Sequence, residues 1–132
     1  MSDLFILIGI LVVVIIFLVY RYMRQKQVIT TLTQKQFREG YRKAQLIDVR
    51  EPKEFDGGHI LGARNIPMTQ LKQRLNEIRK DQPVYFYCQS GARSARAALV
   101  LHKQGYDKDK LYQLQGGFKK WTGKIKKPKK LD

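Results

Sequence analysis

The sequence predicts an α/β domain with a central, mostly parallel sheet flanked by helices, preceded by one transmembrane helix. The domain is predicted because short apolar, strand-like segments alternate with helical segments through the middle of the chain, with short links between them. The membrane helix is predicted because residues 4–20 contain no charged side chain. An α-helix needs roughly 17–25 apolar residues to cross the hydrocarbon layer of a membrane.

The residues that flank this apolar segment favour an uncleaved anchor over a cleaved signal peptide. A signal peptide has positive charge before its apolar segment and small residues after it. Here Asp3 precedes the segment, which ends at Tyr20 and is followed by Arg21 and Tyr22. Because positively charged flanks stay on the cytoplasmic side, we expect a single-pass protein of the cell membrane whose domain faces the cytoplasm.

The length of 132 residues leaves room for one globular domain after the anchor and excludes two. A composition change after the apolar segment and a lysine-rich C-terminus set the boundaries. We predict an anchor over residues 1–24, a linker over residues 25–31, a domain over residues 32–123 and a basic tail over residues 124–132.

The chain is strongly basic, with 26 lysines and arginines against 11 aspartates and glutamates and a formal net charge of +15. Such an excess is common in nucleic-acid-binding proteins. Here the basic residues are concentrated directly after the apolar segment and in the tail, and no nucleic-acid-binding motif is recognisable. An anionic membrane surface fits this charge at least as well, so we predict membrane lipid, and no nucleic acid, as a partner.

The elements of the domain follow from local patterns. Thr33 and Gln36 have the spacing of a capping box, which predicts the start of a helix, and Gly40 predicts that this helix is short or broken. Residues 84–87 form an apolar segment without polar alternation, as in strands that are buried on both faces. The other predicted strands cover residues 45–49 and 111–114, with a short one before Pro67, and the other predicted helices cover residues 54–55, 69–80 (amphipathic), 94–104 and 118–121.

The sequence has one cysteine, Cys88, so no disulfide can form within the chain and no cysteine-based zinc site is expected. A lone free cysteine is commonly buried as a small apolar side chain. Cys88, however, directly follows the predicted buried strand and begins a loop that leads into a helix. The alternatives are therefore a buried structural thiol and a nucleophile.

The loop after Cys88 favours the nucleophile. Gly91 permits unusual backbone angles, and the small side chains around it allow several N–H groups to point into one concavity at the start of the helix. Such a loop binds anions, and Arg93 adds a full positive charge. Because these groups stabilise a thiolate, site and activation coincide at Cys88.

Three blocks of the sequence point to one family. The blocks are LIDVRE, EF, GHILGA and NIP between residues 46 and 67, YCQSGARS over residues 87–94, and LQGGF from residue 114 with Trp121. In this order they resemble the signatures of single-domain rhodaneses, which are sulfurtransferase modules. Leu61 stands where many members have proline, and Gln89 stands where many have arginine, which removes a positive charge beside the thiol.

The resemblance implies a rhodanese-like fold and a rhodanese-type sulfurtransferase without a metal or organic cofactor. Cys88 is expected to take a sulfane sulfur from a small donor such as thiosulfate, hold it as a persulfide and pass it to a thiol or cyanide. An alternative is a non-catalytic binding or regulatory module at the membrane. A phosphatase is disfavoured, because the related phosphatases have one more residue between the cysteine and the arginine. The residues expected to bind substrate are Gln89, Ser90, Gly91, Ala92 and Arg93.

Asp48, Arg50 and His59 are predicted to support the site. Asp48 and Arg50 follow a predicted strand, and an ion pair that braces the neighbouring loops is favoured over direct contact with substrate. His59 is predicted to be a structural histidine that forms hydrogen bonds through its ring nitrogens, with a general base as the alternative.

Overall fold

The computed structural model describes residues 1–26 and 28–127, and in it a long N-terminal helix precedes an α/β domain. The α-helices are α1 (Ser2–Lys26), α2 (Gln34–Gly40), α3 (Pro52–Asp56) and α4 (Ala92–Lys103). The strands are β1 (Thr30–Leu32), β2 (Gln45–Asp48), β3 (His59–Ile60), β4 (Arg64–Asn65), β5 (Val84–Tyr87), β6 (Leu111–Leu114) and β7 (Ile125–Lys126). Short 3-10 helices cover Tyr41–Lys43, Met68–Gln70, Lys72–Glu77, Lys108–Lys110 and Phe118–Lys120.

The main sheet is parallel, with the strand order β1-β6-β5-β2-β4. At its centre β2 and β5 are neighbours, and Asp48 lies opposite Tyr87. A second, two-stranded sheet pairs β3 with β7 in antiparallel fashion. Because parallel strands end at one edge of a sheet, the loops that follow β2 and β5 emerge side by side. The predicted α/β domain with a mostly parallel sheet is confirmed.

Helices and loops cover both faces of this sheet, because successive side chains of a strand point to opposite faces. Ile47 and Phe86 belong to an apolar cluster on the face that α4 covers. Leu46 and Tyr87 belong to a second cluster, on the other face, that contains Phe37 of α2. The prediction that residues 84–87 form a strand buried on both faces is therefore confirmed.

The predicted start of α2 is also confirmed, and of the two alternatives at Gly40 the short helix is the one observed. The Thr33 hydroxyl accepts a hydrogen bond from the Gln36 backbone N–H at 3.3 Å, and the Gln36 side chain accepts one from the Thr33 N–H at 3.0 Å. These two bonds satisfy N–H groups that a helix start otherwise leaves without partners. The helix ends at Gly40, where the Tyr85 hydroxyl occupies the space that a Cβ atom would need.

The amphipathic α-helix predicted over residues 69–80 is wrong. This segment instead forms the 3-10 helices Met68–Gln70 and Lys72–Glu77, and the backbone of Arg74 leaves the helical region with φ −116° and ψ 18°. The apolar periodicity nevertheless identified the buried side, since Leu71 and Ile78 pack in the core. Periodicity specifies which face is buried, and it does not separate an α-helix from consecutive 3-10 turns of this length.

The predicted linker and tail both contain structured residues. In the linker, α1 runs to Lys26, the side chains of Val28 and Ile29 are buried in the core, and β1 begins at Thr30. In the tail, β7 pairs with β3, and the Leu61 N–H donates to the Lys124 carbonyl at 3.2 Å. The rest of the predicted tail, residues 128–132, lies outside the described residues. Distant strands supply these hydrogen-bond partners, so local composition did not reveal them.

The aromatic cluster around Phe37 gives a test of the fold. The Phe37 side chain is fully buried and lies against the rings of Tyr85 and Trp121. Phe37→Ala is expected to lower the free energy of unfolding by about 3–5 kcal/mol, because it removes an aromatic side chain and leaves a cavity. Denaturant unfolding followed by Trp121 fluorescence measures this loss. Leu61→Ala is the control, since Leu61 is 44% exposed, and a change there above about 0.5 kcal/mol would contradict this account of the core.

Candidate active site

Cys88 lies at the carboxyl edge of the main sheet, directly after β5. The neighbouring strand β2 continues into Val49, whose N–H donates to the Tyr87 carbonyl at 3.1 Å. This bond holds the start of the loop after β2 beside the start of the cysteine loop. The topology therefore places the two predicted loops next to each other.

Two donors converge on the Cys88 sulfur. The Gly91 backbone N–H lies 2.9 Å from Sγ, and the Ser94 hydroxyl lies 3.1 Å from it. Gly91 has φ +116°, a backbone conformation that favours glycine, and it caps α4. Cys88 is 1% exposed and Ser94 is fully buried, so water does not weaken these bonds. The Cys88 sulfur is therefore a buried acceptor of two hydrogen bonds.

The cysteine loop is also held from the side of the C-terminal Gly-Gly-Phe motif. The backbone N–H groups of Phe118 and Lys119 donate to the Cys88 and Gln89 carbonyls at 2.8 and 3.2 Å. At Gly117, which has φ +68°, a Cβ atom would lie 2.6 Å from both carbonyl oxygens. The motif therefore needs glycine at this position because two backbone segments approach each other closely there.

Asp48 and Arg50 form a buried ion pair beside this loop. Arg50 Nη2 lies 2.7 Å from Asp48 Oδ2, and Nε lies 3.0 Å from both carboxylate oxygens. Asp48 is fully buried and Arg50 is 3% exposed. Burial alone lowers the pKa of Arg50, but the hydrogen bonds and the negative charge of Asp48 outweigh burial and raise it. The guanidinium therefore stays charged inside the domain.

Arg50 connects this pair to the surrounding loops. Its Nη2 donates to the Gly58 carbonyl at 2.7 Å, and its Nη1 donates to Gln89 Oε1 at 3.2 Å. The guanidinium also lies 4.2 Å from the centre of the Phe118 ring, a cation–π contact. The Gln89 side chain is thus turned towards Arg50. The geometry agrees with a bracing role for Asp48 and Arg50.

His59 lies away from the sulfur's hydrogen-bond partners, at the start of β3. Its ring stacks on Phe55 with 3.6 Å between ring centres, and its Nδ1 donates to the Phe55 carbonyl at 2.9 Å. Both contacts tie the histidine to the end of α3. These contacts hold the ring in place, and the structural role of His59 stays a prediction.

Arg93 has a partner that the sequence did not reveal. Its Nη1 and Nη2 donate to the two carboxylate oxygens of Glu54 at 2.6 and 2.9 Å. The hydrogen bond from Arg93 is the main cause that lowers the pKa of Glu54 to about 2, so the carboxylate is charged at neutral pH. This pair joins the first turn of α4 to α3.

The predicted loop residues differ in whether they contact the Cys88 sulfur. Gly91 contributes an N–H to the sulfur, Gln89 faces Arg50, Ser90 is exposed and Ala92 is the first residue of α4. Sequence reasoning missed the hydroxyl of Ser94 and the carboxylate of Glu54. Ser94 could have been noticed as a small polar residue in the first turn of α4. Nothing in the sequence relates Glu54 to Arg93, which is 39 positions away.

No group of three or more histidine, cysteine, aspartate or glutamate side chains that could hold a metal occurs within residues 1–26 and 28–127. An α/β domain whose cysteine opens a loop between a central strand and a helix, with hydrogen-bond donors on the sulfur, has the arrangement of a thiol-based group-transfer site. The model of the Rhodanese-like domain family matches residues 33–124. The chain therefore belongs to the rhodanese-like family.

Similar proteins agree with this assignment. The chain is 60% identical over 129 residues to the uncharacterized protein YqhL of Bacillus subtilis, covering 98% of this chain and all of YqhL. It is 42% identical over 77 residues to a sulfurtransferase of Allochromatium vinosum, covering 58% of this chain and 70% of that one. A rhodanese-like domain protein of Staphylococcus aureus superposes with a TM-score of 0.67 at 26% identity, covering 76% and 99% of the two chains. Sulfurtransferase-type activity is supported at the level of the family.

The buried ion pair gives a test of how the site is held. Asp48→Asn removes the negative charge that compensates Arg50 and is expected to lower the free energy of unfolding by about 3–5 kcal/mol, since a buried cation is then left unpaired. The exposed pair of Arg79 and Asp81, with 2.7 Å between its atoms, provides the control variant Asp81→Asn. Equal midpoints for the two variants in urea unfolding would contradict a bracing role for Asp48.

Proposed function

We propose that this chain is a membrane-anchored sulfurtransferase that carries sulfane sulfur as a persulfide on Cys88. The observation that supports it most strongly is the pair of hydrogen bonds that Gly91 and Ser94 donate to the Cys88 sulfur. Hydrogen bonds donated to a sulfur favour its anionic, nucleophilic form over the neutral thiol. Membership of the rhodanese-like family agrees with this chemistry.

The proposed reaction has two displacement steps. In the first, a lone pair of the Cys88 thiolate attacks the outer sulfur of thiosulfate, and the sulfur–sulfur bond of the donor breaks with its electron pair leaving on sulfite. Cys88 then holds a persulfide anion. In the second step, a thiolate or cyanide attacks the outer sulfur of this persulfide and restores the Cys88 thiolate. No electron acceptor is required, because the sulfane sulfur moves with its oxidation state unchanged.

The loop supplies the environment for both steps. The Gly91 N–H at the start of α4 faces the sulfur, and the positive end of the helix adds to its effect. The carbonyls on the other side of the loop are held by Phe118 and Lys119, which keeps the loop from collapsing on the thiol. We propose Arg93 as the cationic residue of the substrate site.

We propose that α1 anchors the domain in the membrane. Residues Ser2–Met23 form a helix that is long and apolar enough to cross a bilayer, and its side chains are exposed rather than packed on the domain. Such a surface is unfavourable in water and favourable in lipid. Arg21 follows the apolar segment, which favours a cytoplasmic domain. Arg24 and Lys26 also follow the apolar segment, and their side chains lie outside the described residues.

The topology of the sheet sets the orientation of the proposed site relative to this anchor. Two buried residues, Val28 and Ile29, precede β1, so the amino-terminal end of the sheet lies nearest to α1. Cys88 follows the carboxyl end of a strand parallel to β1. The proposed site therefore opens away from the membrane, towards soluble donors and acceptors.

Substitution of the thiol and of its hydroxyl donor tests the sulfurtransferase. Cys88→Ser is expected to abolish sulfur transfer and the mass increase of one sulfur atom after incubation with thiosulfate. Ser94→Ala removes one hydrogen bond to a charged group, and a bond of this kind is worth roughly 1.5–3 kcal/mol. The rate of transfer at neutral pH is therefore expected to fall about ten- to a hundredfold. Steady-state kinetics and intact-mass analysis of the full chain in detergent measure both effects.

Thr31→Ala is the control, because it removes a hydroxyl from an exposed position on β1, outside the cysteine loop, and its transfer rate should stay close to that of the unmodified protein. A non-catalytic binding module would show no persulfide in any of these proteins. Transfer that survives in Cys88→Ser would refute the nucleophile.

The orientation is tested with cysteines introduced into the Cys88→Ser background. Ser2→Cys is expected to react with a membrane-impermeant thiol reagent in intact cells, because the short N-terminus lies outside. Lys108→Cys, an exposed position of the domain, is expected to react only after the cells are permeabilised. Labelling of Lys108→Cys in intact cells would place the domain outside, and loss of residue 2 from the mature chain would identify a cleaved signal peptide.

A further inference from the structure

The charged groups nearest to the cysteine loop are arranged in two opposite pairs. Arg50 is neutralised by Asp48 inside the domain, and Arg93 is neutralised by Glu54 at the mouth of the loop. Gln89, the residue after the thiol, is uncharged and accepts a hydrogen bond from Arg50. The side chains of Arg96 and Lys119 are exposed, so water and salt screen them. The site therefore presents hydrogen-bond donors but little net positive charge.

The pair of Arg93 and Glu54 differs from the inner pair because a ligand can reach it. The two side chains are 32% and 34% exposed, whereas Arg50 and Asp48 are enclosed. Glu54 uses both carboxylate oxygens on Arg93, and one of them also accepts the Glu51 backbone N–H at 3.2 Å. This third bond fixes the carboxylate at the start of α3. Arg93 is thus held by the Glu54 carboxylate, which is itself held by the Glu51 N–H.

This arrangement affects donors according to their charge. A doubly negative donor such as thiosulfate has to compete with the Glu54 carboxylate for the Arg93 guanidinium and is repelled by that carboxylate as it approaches. An organic persulfide has its sulfane sulfur on a carbon-bound sulfur and presents at most one negative charge at the reacting end. Such a donor needs the N–H groups of the loop and does not need a free arginine.

We infer that Glu54 is a specificity-determining residue, which occupies Arg93 and so favours low-molecular-weight organic persulfides over thiosulfate as sulfur donors. This inference rests on the proposed function and names the class of donor for the same site. In the step concerned, the Cys88 thiolate attacks the outer sulfur of the persulfide RSSH. The bond between the two donor sulfurs breaks, its electron pair leaves on the thiolate RS⁻, and Cys88 becomes the persulfide Cys–SSH with the proton of the outer sulfur retained.

The inference is tested by removing the charge of Glu54 while keeping its shape. In Glu54→Gln the amide oxygen can still accept hydrogen bonds, but the negative charge that competes with thiosulfate for Arg93 is gone. The ratio of kcat/KM for thiosulfate to kcat/KM for cysteine persulfide is expected to rise about three- to fivefold, as for the loss of a half-exposed ion pair. This ratio should also become more sensitive to ionic strength, because a free guanidinium is screened by salt. A merely structural role for Glu54 would lower both kcat/KM values together and leave their ratio unchanged.

Two further variants of this chain make the test specific. Glu77→Gln is the matched control, since Glu77 also pairs with an arginine, Arg74, at 2.6 Å and is 31% exposed, but neither residue contacts the cysteine loop. Its donor ratio should equal that of the unmodified chain. In the double variant Glu54→Gln with Arg93→Gln the gain should disappear, because no guanidinium remains to be released. A gain that persists in the double variant would overturn the inference.

Binding measured without turnover separates this inference from the proposed function. In the Cys88→Ser background, where no sulfur transfer is expected, Glu54→Gln should lower the Kd for thiosulfate about three- to fivefold, as followed by NMR shifts of the loop amides in the full chain in micelles. An unchanged or raised Kd would overturn the inference even if Cys88 forms a persulfide. Absence of a Cys88 persulfide with either donor would instead refute the proposed function, and the Kd would still decide the role of Glu54.

Discussion

The buried ion pair of Asp48 and Arg50 is the interaction on which the geometry of the site depends. A charged pair inside a domain is tolerated only when its hydrogen bonds are nearly complete, and here the guanidinium reaches Asp48, the Gly58 carbonyl, the Gln89 side chain and the face of Phe118. These four partners belong to four different segments of the chain. Because one planar group has to satisfy all of them, the segments that surround the cysteine loop cannot move independently.

The cysteine loop combines hydrogen-bond donors on a buried sulfur with charged neighbours that are paired. Its stabilising groups are the Gly91 N–H and the Ser94 hydroxyl, which are dipoles and do not attract ions over a distance. The nearby guanidinium groups face carboxylates. The donors to the sulfur therefore act only at short range, and each of the two guanidinium groups beside the loop is occupied by its own carboxylate.

The relation between the helix α1 and the sheet follows from strand direction. The strands that carry the site run parallel to β1, and β1 begins only a few residues after α1 ends. Burial of Val28 and Ile29 in the core leaves a short connection between the helix and the domain. In a parallel sheet the entrance of the first strand and the loops that hold the chemistry lie at opposite ends, so attachment at one end leaves the other end open.

The sequence by itself determined the features that local patterns encode. The strand before Cys88, its glycine-containing loop, the capping box at Thr33 and the exposed apolar helix could all be predicted, because each depends on neighbouring residues. Only the tertiary structure decided that the segment over residues 69–80 forms 3-10 helices, that β7 pairs with β3, and that Arg93 faces Glu54. These outcomes depend on partners that are distant in the chain and are brought together by the sheet, and no local pattern specifies such partners.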